Sequence, residues 1–503
     1  MVISEMQFKK CISCCYNEKT VSTMRMEMRD FQRDALDKLT SGQSVLIIAP
    51  TGLGKTRAAL APFKQSLTQN GVLGTRLIYA LPLRALTRGV EEECKELRIS
   101  AVIHHGDEPE SQFFSERVVI TTIDQYLTAF AGAPLSWASH LSHAAAGAVL
   151  TSYSVFDEVH LLSPQKGIQL LFAMLYLRKR WGLLSCIMTA TLPPSVKEFF
   201  QEFCGLVKIE ASDEDIKQRD SWRKVYLQLN GTREGSQFVW NEKDEESLAK
   251  FVKDNWDNWG DLGVDGPQKV IVFVNTVDRA IQIYDKLKNL FQNRNAPEVI
   301  LAHSRFTRDD RSNVEDRVSQ FFGKSENPDP AILVTTQVAE AGLNISAPLV
   351  ITELCPMDSL IQRAGRCQRF KPDGSQELNG KVIVVKPAGD KWYVPYSDEV
   401  HLVEVSQDKK GKEKRNTSKR LPAIEFTRIV LEMEAGNQEL LLNWQNEQEL
   451  IEKALDRLYK AYLSETTNVE FSEGEEPFNS LFAKYKSKKK EVEEEPEDKT
   501  GEE

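Results

Sequence analysis

Residues 45–56 read Val-Leu-Ile-Ile-Ala-Pro-Thr-Gly-Leu-Gly-Lys-Thr, and no other stretch limits the fold so sharply. Four apolar residues predict a short buried strand, a Gly-containing loop follows, and Lys55-Thr56 opens a helix. Backbone N–H groups at such a turn face a polyphosphate, and the helix dipole favours its negative charge. Lys55 supplies a point charge for the β- and γ-phosphates, and the Thr56 hydroxyl can ligate Mg²⁺. Ala49 stands where the usual pattern has its first Gly, so the spacing is Ala-x4-Gly-Lys-Thr. The stretch predicts binding of a nucleoside triphosphate.

Around it, short β-rich runs alternate with helical ones. Strands are predicted at 45–48, 76–81, 101–104, 118–121, 149–156 and 184–189, and again at 270–274, 299–301, 331–334, 349–351 and 382–385. Strands spaced by helices give parallel sheets covered on both faces. The expected class is α/β: two tandem RecA-like parallel-sheet lobes, at 28–205 and 206–392, with a mostly helical C-terminal domain at 393–483. Residues 1–27 read as a loose extension and 484–503 as a disordered charged tail. The Lys-rich patch at 409–415 reads as a solvated loop.

Net charge is −10 over 503 residues, yet the last thirteen hold eight acids against one Lys, so the body is near neutral. A near-neutral body can still line a groove with Lys and Arg, so the total charge excludes no polyanionic partner. No apolar run has the ~20 residues of a membrane span and no signal peptide is evident, which predicts a cytoplasmic protein without a membrane partner. Eight Cys in so long a chain do not make a disulfide framework. Cys11, Cys14 and Cys15 cluster without a second pair at zinc spacing.

A second signal is Ser154-Val155-Phe156-Asp157-Glu158-Val159-His160. If the strand continues through both acids, their side chains diverge. Asp157 then reaches the Mg²⁺ shell while Glu158 orients and deprotonates the attacking water. The third is Gln362-Arg363-Ala364-Gly365-Arg366-Cys367-Gln368-Arg369. At helical spacing Gln362, Arg366 and Arg369 share a face from which the arginines can cross a cleft to the γ-phosphate. With the lysine and acids in one lobe and the arginines in the other, hydrolysis requires lobe closure.

These segments, with Met188-Thr189-Ala190-Thr191 and the run from Thr335 to Asn344, resemble superfamily 2 DExH helicases in order and in lobe placement. Phe31-Gln32 resembles their adenine-recognising element. Leu301-Ala302-His303-Ser304-Arg305-Phe306 with Asp310-Arg311 and Glu315, Val274-Asn275-Thr276-Val277, and Thr122-Ile123-Asp124-Gln125-Tyr126 narrow the likeness to the CRISPR-associated helicase of type I interference. The resemblance, over about residues 28–390, implies ATP- and Mg²⁺-dependent 3′→5′ travel on single-stranded DNA and recruitment to a guide-RNA surveillance complex. It implies that Gln32, Thr51, Gly52, Gly54, Lys55, Thr56, Gly342 and Asn344 hold ATP, and that Thr56 and Asp157 serve the metal. Arg84, Thr121, Thr122, Asn275, Thr276, Arg305, Thr336 and Gln337 would lie along the DNA. His160, Thr189 and Thr191 would couple nucleotide state to DNA grip.

Asn344 stands where such helicases often have Asp, and Thr189 where Ser is frequent. Many members carry a metal-dependent nuclease built on a His-Asp doublet; none of the seven His here is followed by Asp. The expected nuclease is therefore a separate HD subunit. A repair or RNA-processing helicase, and an ATP-gated DNA clamp that does not unwind, are the alternatives.

Overall fold

A computed structural model describes residues 28–484 except 70–72, 107, 112, 134–141, 236, 293–295, 325–326, 341, 372–375, 409, 437 and 477. Cys11, Cys14 and Cys15, the expected extension, and the tail beyond Lys484 lie outside the described residues.

Helix α1 (Asp30–Thr40) precedes strand β1 (Val45–Ile48), and α2 (Lys55–Gln69) follows the loop. Next come β2 (Leu77–Leu81), α3 (Thr87–Glu96), β3 (Val102–His105), β4 (Glu108–Pro109), β5 (Val118–Thr122), α4 (Ile123–Phe130), α5 (Ser142–Leu150) and β6 (Tyr153–Phe156). Helix α6 (Gly167–Arg180), β7 (Ser185–Thr189), α7 (Pro194–Glu202) and β8 (Val207–Glu210) complete a sheet ordered β4-β3-β5-β2-β6-β7-β1-β8. Only the β3–β4 pairing is antiparallel. Val45 and Ile47 pack in one core with Phe31 and Tyr79, while Leu46 and Ile48 pack on the opposite face with Leu171 and Ile187. A sheet buried on both faces needs continuous apolar strands, which is why these runs are legible as such.

Two expectations shift here. Ala144-Ala145-Ala146 favours helix, and α5 takes the start of the expected strand at 149–156. Strand β8 pairs with β1, so the first sheet extends past the expected lobe boundary at 205. The chain crosses to the second sheet through α8 (Asp213–Trp222), whose N-terminus Ser212 caps by accepting from Asp215 N.

The second series comprises β9 (Arg223–Leu229), the hairpin β10 (Gly231–Glu234) and β11 (Gln237–Trp240), α9 (Glu245–Asp257), β12 (Lys269–Phe273) and α10 (Val277–Leu290). It continues with β13 (Glu298–Ala302), α11 (Arg308–Phe322), β14 (Ala331–Thr335), β15 (Leu349–Glu353), α12 (Met357–Ala364) and β16 (Leu378–Val385). The C-terminal part holds β17 (Glu399–Gln407), β18 (Glu413–Pro422), α13 (Ile424–Glu434), β19 (Leu440–Leu441), α14 (Trp444–Leu463) and β20 (Asn468–Ser472). The second sheet is ordered β13-β14-β12-β15-β16-β9-β19, parallel except for β19. Both lobes are therefore parallel α/β sheets, as expected.

The expected C-terminal helices are present as α13 and α14, and a three-stranded sheet β18-β17-β20 stands beside them. Lys410 and Lys412 lie in the turn between β17 and β18, where Asp408 accepts both backbone N–H groups, while Lys414 and Arg415 are exposed on β18 itself. One apolar core takes in Ile48 of β1, Phe273 of β12 and Leu450 of α14, so the two lobes and α14 are packed together. Among the described residues no helix is long and apolar enough to cross a membrane.

Candidate nucleotide site

The loop between β1 and α2 is pinned from behind. Gln32, buried in the first turn of α1, donates from Nε2 to Gly54 O at 3.0 Å and accepts from Arg29 N at 3.0 Å. Gly54 has φ +85°, and a Cβ there would lie 2.8 Å from Gln32 Nε2. Only glycine lets the loop turn this way with Gln32 against it. Lys55 Nζ donates to Ala49 O at 3.1 Å, so the ammonium lies within the loop's own curve. Thr56 follows as the second residue of α2.

Asp157 and Glu158 sit just past the end of β6. The strand stops at Phe156, so pleat alternation is not what separates the two carboxylates. Glu158 adopts a left-handed conformation, φ 50° and ψ 41°, which redirects its side chain. Asp157 Oδ2 accepts a 2.6 Å hydrogen bond from Tyr79 on β2, and its Oδ1 accepts from Glu158 N at 2.8 Å. Burial, then the Glu158 charge, push the Asp157 carboxyl up to about 7, against the pull of Lys55 and Tyr79. Burial also pushes Glu158 up, but Lys55, His160, Arg366 and Arg369 outweigh it and the carboxyl stays below its usual range. His160 Nδ1 lies 3.5 Å from Glu158 Oε2 and 3.1 Å from Thr189 Oγ1. Burial lowers His160 to about 4, so its ring is neutral at neutral pH and the cations holding Glu158 down are the lysine and the two arginines.

The arginines reach Glu158 by a different route from the expected one. Helix α12 ends at Ala364, so Gln362, Arg366 and Arg369 do not share a helical face. Arg366 lies in the turn beyond it, donating from Nε to Ala339 O at 3.0 Å and from Nη2 to Glu340 O at 2.5 Å. Arg369 donates from Nε to the exposed Asn344 at 3.0 Å. Arg363 is the fully buried arginine of this cluster. It donates to Glu340 at 2.7 Å, Thr352 at 2.8 Å, and Asn275 and Tyr396 at 3.1 Å each, so it holds the lobe together. The lobes meet closely here: a Cβ on Gly365 would lie 3.2 Å from Thr51 Oγ1.

Glu158 Oε2, His160 Nε2 and Thr191 Oγ1 of the first lobe, and Gln362 Nε2 and Arg366 Nη1 of the second, are buried without a hydrogen-bond partner. Each such atom costs about 1–3 kcal/mol unless a ligand satisfies it. Donors and acceptors from both lobes fit a triphosphate and an attacking water, with Thr56 and Asp157 the groups placed to hold a hard cation at its phosphates.

The residues expected along DNA divide into two groups. They lie at or just past the carboxyl ends of β2, β5, β12, β13 and β14, where α/β sheets bind ligands. Arg84 is exposed in a 3₁₀ turn, packed over Gly106. Arg305 is exposed too, with Nη1 2.5 Å from Asp278, an ion pair worth little in water and free to exchange for a phosphate. Gln337 is half-buried and donates to Tyr396 at 3.2 Å.

Other side chains are committed elsewhere. Thr121 donates to His104 O at 2.6 Å inside the sheet, and Asn275 donates to Leu354 O at 2.8 Å while accepting from Arg363. Thr122 and Thr276 cap α4 and α10 by accepting backbone N–H groups, so a strand there would meet helix N-termini instead of free hydroxyls. Thr336 is buried. Gly342, expected at the nucleotide, packs on the first lobe's Ala85: a Cβ on it would lie 2.8 Å from Ala85 Cβ.

Sequence reasoning passed over Tyr79, which reads as one more apolar strand residue, and Arg363, which lies off the helical face expected for Gln362, Arg366 and Arg369. Tyr396 lies outside any motif, and no local pattern announces it.

Two family profiles match the chain: "DEAD/DEAH box helicase" over residues 29–199 and "CRISPR-associated nuclease/helicase Cas3, C-terminal" over 266–372, together more than half of its length. A CRISPR-associated nuclease/helicase Cas3 of Streptococcus thermophilus is 26% identical over 408 residues, covering 68% of this chain and 41% of the relative. The chain thus spans less than half of that relative. The crystal structure of T. fusca Cas3 with ATP superposes with TM-score 0.60 at 20% identity, covering 86% of this chain and 52% of that one. A chain of a CRISPR RNA-guided surveillance complex, pre-nicking, superposes with TM-score 0.58 at 19% identity, covering 90% and 54%. Those likenesses carry the two-lobed fold.

Proposed function

The chain belongs to the CRISPR-associated superfamily 2 helicases, and from that premise we propose that it is an ATP-driven 3′→5′ translocase on single-stranded DNA that unwinds target DNA for a separate HD nuclease subunit. One observation carries the reading: Glu158 Oε2, His160 Nε2 and Thr191 Oγ1 of the first lobe, and Gln362 Nε2 and Arg366 Nη1 of the second, are buried without hydrogen-bond partners where Gly365 comes against Thr51. Unpaired polar groups from two lobes at one seam are what triphosphate cleavage coupled to lobe closure requires.

In this reading Gln32 fixes the loop against the nucleotide, Lys55 turns from Ala49 O to the β/γ-phosphates, and Glu158 orients water and takes its proton. Arg366 Nη1 receives the charge developing on the γ-phosphate. Mg²⁺, when bound, neutralises charge on the phosphate oxygens. Thr56 and Asp157 would hold it, with Asp157 deprotonated. His160, Thr189 and Thr191 carry the change to the DNA groove, lined by Arg84, Arg305, Gln337 and the α4 and α10 N-termini. Contacts to phosphates alone give the sequence-tolerant grip a translocase needs.

A guide-RNA surveillance complex delivers the substrate. In this reading the cut falls to the separate HD nuclease subunit. Asn344, whose departure from Asp favoured a non-unwinding clamp, still accepts the Arg369 Nε bond and keeps that arginine in place.

The test is ATP hydrolysis with and without single-stranded DNA, together with displacement of a strand from a 3′-tailed duplex. Stimulation by DNA and displacement are expected. Hydrolysis indifferent to DNA would overturn the reading, and displacement from 5′ tails alone would reverse the direction.

A further inference from the structure

Helix α14 lies beyond both matched stretches, yet two adjacent residues on it reach the two halves of the seam. Gln448 faces the first lobe. Its Nε2 donates to Ala190 O at 3.3 Å, and its Oε1 accepts from Lys197 Nζ at 3.0 Å. Ala190 separates Thr189 from Thr191, and Thr189 Oγ1 lies 3.1 Å from His160, which lies against Glu158. The same helix is fastened there twice more: Asp456 accepts from Ser195 N at 2.8 Å, and Tyr462 O accepts from Gln169 at 3.1 Å.

Glu447 faces the second lobe. It is buried and accepts from Arg219 Nη2 at 2.7 Å, with Arg223 Nη1 3.5 Å away. Arg223 in turn donates to Ala364 O at 2.8 Å and to Cys367 O at 3.1 Å, the carbonyls on either side of the Gly365-Arg366 pair. The helix thus grips the backbone that carries Arg366 through Glu447, and the backbone behind His160 and Glu158 through Gln448.

Resting on the proposed motor activity, we propose that Glu447 and Gln448 are positioning residues that tie the two halves of the catalytic seam to one rigid helix, so that DNA-driven closure brings Arg366 into register with Glu158. Neither residue touches the reacting atoms. As neighbours in one helix the two side chains point about 100° apart, so one rigid element meets both halves and movement of one bears on the other. The warrant is the run of hydrogen bonds and ion pairs from Glu447 to the backbone around Arg366 and from Gln448 to Ala190, next to Thr189 and its His160 contact, and contiguous networks of this kind carry coupling of about 0.5–2 kcal/mol.

Gln448 allows a discriminating test. Gln448→Met keeps length and bulk but loses both bonds. Gln448→Glu keeps the acceptor for Lys197 and loses the donor to Ala190. Both variants are expected to lower the DNA-stimulated kcat by about 3- to 30-fold, with KM for ATP and the DNA-free rate within about twofold of the parent. Thermal unfolding midpoints of both variants check that they fold, and Lys197→Met, which leaves the Ala190 bond, should retain the parent's stimulation. Wild-type kcat in both Gln448 variants overturns the inference. So does restoration by Gln448→Glu, which would assign the effect to the Lys197 pair. If the parent itself shows no stimulation by DNA, the motor reading falls first; if the parent is stimulated and the variants match it, only this inference falls.

Discussion

The Tyr79 hydroxyl donates a 2.6 Å hydrogen bond to Oδ2 of Asp157 inside a sheet where neither side chain meets water. A tyrosine on β2 therefore opposes, with Lys55, the burial and the Glu158 charge that push up a carboxylate at the neighbouring strand's end. The bond favours the charged form, and its loss leaves burial and Glu158 to push the carboxyl above about 7. Tyr79→Phe should move the acid limb of the ATP hydrolysis profile to higher pH and cost about 1.5–3 kcal/mol of stability. A pH–rate profile and urea unfolding check both. An unmoved acid limb would mean that Asp157 is not the group that titrates there.

Asp157 also predicts how stability depends on pH. Its carboxyl titrates at about 7 in the fold, against about 3.9 in an unfolded chain. Between those values the native state holds a proton that the unfolded chain has released. The group's contribution is therefore complete below about pH 4 and lost as pH rises through about 7. Asp157→Asn removes this dependence. The variant should melt at a higher temperature than the parent at pH 8, the two should converge near pH 4, and hydrolysis should be abolished. Melting curves that stay parallel across this range would contradict the assignment.

The sequence carried the positions of the strands because both faces of each sheet are buried, which demands apolar runs at Val45–Ile48, Lys269–Phe273 and their neighbours. It also singled out Lys55, Asp157, Glu158 and Arg366 as candidates, because the chemistry proposed for them depends on residue type. What it could not carry is which partner each polar group chooses. Thr121 and Asn275 follow strands at the right edge of their sheets, and the hydrogen bonds to His104 O and Leu354 O that turn them inward are not local. Helix α12 was read as continuing because nothing after Ala364 forbids helix. It stops because the segment beyond is held by the second lobe, with Ala347 N donating to Arg366 O at 3.0 Å. The sheet of β17, β18 and β20 was missed for a similar reason: β18 is largely exposed and has little apolar period, so only its pairing with β17 defines it.

Gly342 is the point where a side chain would act on lobe closure. Its φ of +96° and the 2.8 Å approach to Ala85 leave no room for a methyl group. Gly342→Ala should prop the lobes apart. DNA-stimulated hydrolysis falls, the radius of gyration with nucleotide and DNA rises by small-angle scattering, and Ala85→Gly in the same chain recovers part of the loss. Left-handed backbone costs an alanine about 1–2 kcal/mol in any case, so rescue by Ala85→Gly is the informative result. If the second substitution changes nothing, the closeness of Gly342 to Ala85 has no bearing on closure.

Arg366 decides whether the seam is catalytic. Two backbone carbonyls, Ala339 O and Glu340 O, orient its guanidinium, and Nη1 is left buried without a partner while Glu158 favours its charge. Burial and then Arg369 oppose that charge, so the site holds a cation ready for an anion it lacks. Arg366→Ala should lower kcat by about 10³- to 10⁵-fold, the range of an arginine supplied to a phosphoryl-transfer transition state. Nucleotide affinity should change little, because the loop and Gln32 are untouched. Arg366→Lys should not rescue, since a single ammonium nitrogen cannot hold both carbonyls and also present a donor where the unpaired Nη1 lies. Single-turnover hydrolysis with a fluorescent nucleotide separates the two effects. A kcat within tenfold of the parent in Arg366→Ala would remove Arg366 from the chemistry and leave Arg369 to account for the charge at Glu158.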